Sequence, residues 1–286
     1  MSTAARGLQT RLRPLDVGVP GGAELAEARA TTQRVARTFA IACRLLPRPV
    51  RDDVYLLYMV FRTLDDLVDD GHAEAPEHVE AAAAWADGRP GRRTREVAVL
   101  EALAARHPLP RAAIADFCAG MRQDLAGETF DTEEELDRYC YRVAGTVGLV
   151  MTAILGARDL ERARPAAAAL GMAMQRTNIL RDIDEDGAAG RVYIARESLL
   201  RLGSLAPGCR ADLRRDQIAR ADALYEQGLA GIGELRQGRR AIAVAGAMYR
   251  EILREIERRG LGAQPGRAVV SRGRKLAVAV QAARLA

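Results

Sequence analysis

Between positions 50 and 68, Val50, Val54, Leu57, Phe61, Leu64 and Val68 recur at alternating steps of four and three, which an α-helix brings onto one face. A second stripe runs beside it: Tyr58, Arg62, Asp65 and Asp69, at steps of four, three and four. The first stripe must pack, so the second borders the packed face, where the wall of a cavity would lie. Like charges one turn apart destabilise a helix by about 0.2–0.5 kcal/mol. A bound divalent cation reverses that sign, since magnesium takes hard oxygen ligands. Alone, DDLVDD at 65–70 reads equally well as a solvated acidic helix end.

A second ladder separates those readings. In QRTNILRDIDED, Gln175, Asn178, Asp182 and Asp186 step by three, four and four along one face. Asn178 is a neutral oxygen ligand. Magnesium keeps waters and completes its shell with phosphate oxygens. Asp65, Asp69, Asn178, Asp182 and Asp186 are therefore the expected metal ligands, with a diphosphate ester held between two helices. Arg62 and Arg181 lie within a turn of the acids and can take diphosphate oxygens two at a time. An ion pair of Arg62 with Asp65 or Asp66 is compatible with that use. Asp66, Asp70, Asp184 and Glu185 fall off both stripes and are expected to be solvated or supporting.

The chain is 49% hydrophobic but only 4% aromatic, and rich in Ala, Leu, Arg and Glu, which lose little side-chain freedom in a helix. No segment alternates with period two. Residues 1–21 read as a loose N-terminal extension and 22–286 as one all-α domain, a helical bundle whose core can house a site. Helices are expected over about 23–46 (ending at Pro47 and Pro49), 50–70, 95–106, 111–126, 132–156, 165–185, 211–235, 238–259 and 267–284. A short helix is expected among the loops of 71–94. Thr132 with Glu135 predicts a capped helix start. In YCYRVAGTVG at 139–148, Tyr139 shares a face with Val143 and Thr146. Gly145 and Gly148 either open room for an elongated apolar substrate or let helices pack closely.

Several classes are excluded. No stretch approaches the roughly 20 apolar residues of a membrane span, and the N-terminus lacks the apolar core of a signal peptide. Cys43, Cys118, Cys140 and Cys209 lack zinc spacing and read as reduced thiols of a cytoplasmic protein. His72, His78 and His107 fall in apparent loops or surface segments, against a histidine centre. The net charge of +5 comes almost wholly from arginine, Lys275 being the only lysine. No basic run interleaves with aromatics, which argues against nucleic acid. Peripheral contact with the anionic inner face of a cell membrane, or an anionic substrate, fits the charge. Oligomeric state is left open.

Together these segments resemble the squalene/phytoene synthase family of head-to-head prenyltransferases, over about Thr31 to Leu276. The carriers are RTFAIACRLLP at 37–47, YMVFRTLDDLVDD at 58–70, MRQDL at 121–125, YCYRVAGTVG, QRTNILRDIDED and GRVYI at 190–194. AMYREIL at 247–253 and GRAVVSRGRKL at 266–276 complete the set. The resemblance implies an isoprenoid-synthase-type bundle with a central cavity, in its short bacterial form. It implies magnesium, with manganese able to substitute. It also implies condensation of two farnesyl or geranylgeranyl diphosphates through a cyclopropylcarbinyl diphosphate to a linear C30 or C40 hydrocarbon. NADPH is needed only if that product is squalene; dehydrosqualene and phytoene form by proton loss.

By the same resemblance, Tyr58, Arg62, Gln175, Asn178, Arg181, Tyr249 and Arg267 match substrate- or diphosphate-contacting positions. Tyr139 matches a cavity position, Arg37 and Phe39 belong to the donor-binding segment, and Cys43 and Tyr55 match the hydrocarbon end. The family's Ser-x-Ser-Phe appears here as Ala36-Arg37-Thr38-Phe39, without the first hydroxyl. The alternatives are a terpene cyclase or diphosphate lyase acting on one prenyl diphosphate, and a non-catalytic helical protein. The intact ladders argue against the last.

Overall fold

The structure, a computed structural model, describes residues 22–35 and 37–285, without the side chains of Gln33, Val35, Arg37, Thr38 and Leu285. The extension expected over 1–21, and Ala36, lie outside the described residues. The helices are α1 Gly22–Val35, α2 Arg37–Cys43, α3 Arg48–Asp69, α4 Ala75–Ala86, α5 Arg95–Ala104 and α6 Arg111–Ala126. There follow α7 Glu133–Cys140, a π-helical turn Tyr141–Gly145, α8 Thr146–Leu155 and α9 Leu160–Ala188. The rest comprises α10 Arg196–Leu202, α11 Ala211–Ala230, a 3-10 turn Gly231–Glu234, α12 Arg239–Arg258 and α13 Arg272–Leu285. Among the described residues the only β pairing is an isolated bridge of Ala157 with Leu235. None of their helices is long and apolar enough to cross a membrane.

α3 buries more than its predicted stripe: Tyr55, Leu56, Met59, Val60 and Leu67 are inside too, because the helix is surrounded by others. Pro49 sits in its first turn, where a missing N–H costs nothing. The capping box at Thr132 is formed, with Glu135 reciprocating. α9 starts earlier than the expected 165, because Asp159 caps it by accepting from the amides of Glu161 and Arg162. α10 was not anticipated: seven residues are too few to show a period. The segment 267–271 is not helical, so α13 starts at Arg272.

α9 is the axis of the site half. α8 and the π turn lie against one side of it, and α11 and α12 against others. Glycines set these distances. A Cβ on Gly148 would fall 2.2 Å from the Ala167 carbonyl oxygen, and one on Gly171 2.2 Å from that of Ala144. Backbone cannot yield as a flexible side chain does, so both glycines are needed for close packing. Gly171→Ala is expected to cost about 1–3 kcal/mol, read as a lowered urea midpoint. An unchanged midpoint would show that the two helices can separate freely.

Candidate active site

A cavity of about 310 Å³ runs between α3, α8, α9, α11 and α12. Its wall on α9 extends from Ala163 through Ala166, Ala167, Leu170, Gly171 and Met174 to Gln175 and Asn178, about 22 Å of helix. Half of those side chains are alanine or glycine, and they leave room along the channel. The opposite wall carries aromatic rings. Phe39 lies 5.2 Å from Tyr58 between centroids, and Phe61 meets Phe117 edge-on at 4.6 Å. Arg62, Asp65, Gln175, Asn178 and Tyr249 line the polar end. The cavity is thus apolar along its length and charged at one end.

At that end Arg62 donates to Asp65 at 2.9 Å and also pairs with Asp66. Its buried Nε has no partner. Burial, then the neighbouring charge of Asp69, pushes the Asp65 carboxyl up to about 7 against the pull of Arg62. Across the mouth, Asp186 is raised to about 6, first by burial, then by Asp182, with Asp69 adding to it. Asp69 of the first ladder thus acts on Asp186 of the second. Asp182 is covered by two arginines: Arg181 Nε donates to it at 2.8 Å, and Arg267 Nε lies 3.1 Å away. Arg181 also bonds Tyr249.

These groups suit a hard cation. The Asn178 side-chain oxygen is buried without any partner, while its amide donates to Gln175 at 3.3 Å. Asp65 and Asp186 are carboxylates held near protonation by burial first and then by a neighbouring carboxylate, Asp69 for Asp65 and Asp182 for Asp186, a cost that a divalent ion would relieve. Among the described residues, no three His, Cys, Asp or Glu side chains form a metal cage of their own.

Three residues at the mouth escaped sequence reasoning, although two quoted segments contain them. Arg191 pairs with the Asp69 carboxylate and donates to its carbonyl at 2.8 Å. Asp124 accepts from Tyr139 at 2.9 Å and from Tyr193 at 3.4 Å, and the two phenol rings stack at 5.5 Å. Burial pushes Asp124 up to about 6, the Tyr139 hydrogen bond opposing and Asp69 reinforcing.

Tyr139 itself is buried but does not line the cavity. The π turn inserts a residue, so the expected shared face breaks: Val143 points into the cavity, while Thr146 bonds back to the Arg142 carbonyl. Cys43 and Tyr55 are likewise buried in the core and absent from the cavity wall, because they pack among α3's neighbours. The side chain of Arg37, with Ala36 and Thr38, lies outside the described residues. Of the off-stripe acids, Asp66 pairs with Arg62, Glu185 with Arg267 and Asp184 with Arg210, while Asp70 is exposed.

The squalene/phytoene synthase family profile matches residues 32–274. The chain belongs to that family. A phytoene synthase of Thermus thermophilus is 40% identical over 236 residues, covering 78% of this chain and 80% of that protein. A 15-cis-phytoene synthase of Synechococcus elongatus is 35% identical, covering 87% and 89%. Among solved structures, a dehydrosqualene synthase with bound ligand superposes with a TM-score of 0.83 at 26% identity, over 91% of this chain and 95% of that one. A squalene synthase of Alicyclobacillus acidocaldarius gives 0.71 at 25% identity, over 87% and 100%. The fold is the all-α isoprenoid-synthase bundle and the protein is a prenyltransferase-type enzyme.

Proposed function

We propose that the protein joins two molecules of geranylgeranyl diphosphate head to head to form phytoene, a C40 hydrocarbon. The observation that carries this reading is an apolar channel ending on two facing aspartate ladders, in a chain whose relatives at 40% and 35% identity are phytoene synthases. In the first half-reaction the C1–O bond of one substrate breaks and diphosphate leaves. The allylic cation is captured by the double bond of the second substrate, and loss of a proton closes the cyclopropane. In the second, the remaining diphosphate leaves, the ring rearranges, and loss of a second proton forms the central double bond. Two diphosphates and two protons are released, and no reductant is consumed. NADPH would enter only for a squalene product.

Asp65, Asp69, Asn178, Asp182 and Asp186 would hold magnesium, or manganese in its place, which would supply Lewis acidity toward the leaving diphosphate. Arg62, Arg181, Arg191 and Arg267 exchange their carboxylate partners for diphosphate oxygens and spread the departing charge. Gln175, Tyr249 and Asn178 orient the head group. Phe39, Tyr58, Phe61 and Phe117 offer π faces to the cation. The apolar channel excludes water that would quench it.

Purified protein incubated with magnesium and either farnesyl or geranylgeranyl diphosphate, with and without NADPH, is expected to yield phytoene from the C20 substrate independently of NADPH. A C30 product would move the substrate to farnesyl diphosphate. A cyclic or rearranged product from one prenyl chain would favour the lyase. No turnover of either substrate by folded protein would refute the proposal.

Magnesium binding should also release protons near neutrality. Asp65 and Asp186 titrate at about 7 and about 6 in the free protein, and ligation requires the charged form. Affinity is therefore expected to weaken as pH falls below about 7. Calorimetry in buffers of different ionisation enthalpy reads the released protons. A heat independent of buffer at neutral pH would contradict the assignment.

A further inference from the structure

Leu180 and Asp184 lie about 200° round α9 from Asn178 and Asp182, and a second cavity of about 320 Å³ opens on that far side. Its lining includes Arg214 of α11, Arg258 and Arg259 at the end of α12, and the turn containing Gly262, Gln264 and Gly266. Three neighbouring arginines find carboxylates. Fully buried Arg210 grips Asp184 with both terminal nitrogens and bonds the carbonyls of Leu205, Gly262 and Gln264. Arg258 pairs with Glu251 and Glu255, and Arg267 with Asp182 and Glu185.

Arg214 does not. It is 4% exposed, donates only to the Leu180 carbonyl at 3.3 Å, and keeps a buried Nε with no partner. Exposed Arg259 donates to the Arg267 carbonyl, and neither arginine has an ion-pair partner among the described residues. Gly262, at φ +88°, lies close against Arg210 and Arg214: a Cβ there would meet Arg210 Nε at 2.4 Å and Arg214 Nη1 at 2.6 Å.

We propose that this cavity is an oxyanion site, separate from the aspartate-lined mouth, that takes a phosphate or diphosphate group on Arg214 and Arg259. A buried guanidinium without a carboxylate in contact is costly, and a multiply charged oxyanion fits its planar fork. Burial, then the charge of Arg210 with Arg259 adding to it, pushes Arg214 down to about 10 against the pull of Asp184, whose carboxylate Arg210 already engages, and an anion in the cavity would offset that penalty. The turn that walls the cavity also carries Arg267 to Asp182 and gives the Gly266 amide to Asp184 at 2.8 Å. An anion that pins this turn therefore pins Arg267 as well.

The test is calorimetric titration with inorganic phosphate and with pyrophosphate, in EDTA and against chloride of equal ionic strength. A parallel arm measures co-sedimentation with phosphatidylglycerol and phosphatidylcholine vesicles. Binding of phosphate or pyrophosphate is expected, weakened about tenfold in Arg214→Met and in Arg259→Gln. If Arg214→Met fails to fold, Arg259→Gln, on an exposed residue, decides alone. Binding to phosphatidylglycerol alone, lost in the same variants, would assign the group to a lipid headgroup. Binding that falls in Arg181→Gln but not in Arg259→Gln would place the anion at the mouth and overturn the proposal, as would no binding of any probe.

Discussion

Asp182→Asn is expected to lower kcat by about 10²–10³-fold, with little change in the unfolding midpoint. The substitution keeps the shape and removes the charge at the point where the second ladder is most heavily engaged. Asp182 holds Arg181 and Arg267 in the free protein; without its charge Arg181 loses its carboxylate partner and Arg267 keeps only Glu185. Its loss also removes one of the few charged oxygens available to a cation that must work with a small protein share of its shell. More magnesium should recover part of the activity, because weakened affinity is only one component of the defect. Asp70→Asn is the matched control, since that residue is exposed and its carboxylate lies no nearer than 3.9 Å to the His72 imidazole. It should stay within about twofold, as removal of an exposed charge does. Full activity of Asp182→Asn at low magnesium would refute the ladder.

Arg176→Leu should be the most damaging change outside the mouth, costing about 3–5 kcal/mol of a total that rarely exceeds about 15. Arg176 follows Gln175 but lies about 100° further round α9, off the cavity wall and 2% exposed. It donates to Asp137 at 2.7 and 2.9 Å, to Glu133 at 2.8 Å and to Gln217 at 2.7 Å. Gln217 and Ser198 in turn donate to Glu133. The network ties α7, α10 and α11 to α9 with every strong donor satisfied. Without Arg176, Glu133 is left charged and buried. Urea unfolding of the single variant and of Arg176→Leu with Glu133→Gln reads the difference: the second change should recover part of the loss. Equal midpoints for wild type and the single variant would show that the network stabilises nothing.

The same network has a pH signature. Burial raises Glu133, but Ser198, Arg176 and Gln217 together outweigh it, so its folded pKa lies below the ordinary 4.5. A depressed carboxyl contributes stability above its unfolded pKa and loses it as pH falls through the folded value. Arg176→Leu should therefore narrow the gap between stability at neutral and at acid pH.

Local periodicity determined what depends on one helix at a time. The steps from Tyr58 to Asp69 and from Gln175 to Asp186 place four side chains on each face whatever surrounds them, since the helical period is intrinsic to the backbone. The capping box at Thr132 is local for the same reason, and the family resemblance supplied the substrate class that no spacing encodes. Only the tertiary structure decided which distant groups meet. Arg191 reaches Asp69, Tyr139 turns to Asp124, Arg176 finds Glu133, and Arg210 takes Asp184 while Arg214 goes without. These contacts join residues 15 to 122 positions apart, and chain separation carries no period to read. The π turn at Tyr141–Gly145 shows the limit most plainly. One inserted residue rotates Tyr139 off the face it shared with Val143 on paper, and nothing in the stepping of the sequence announces it.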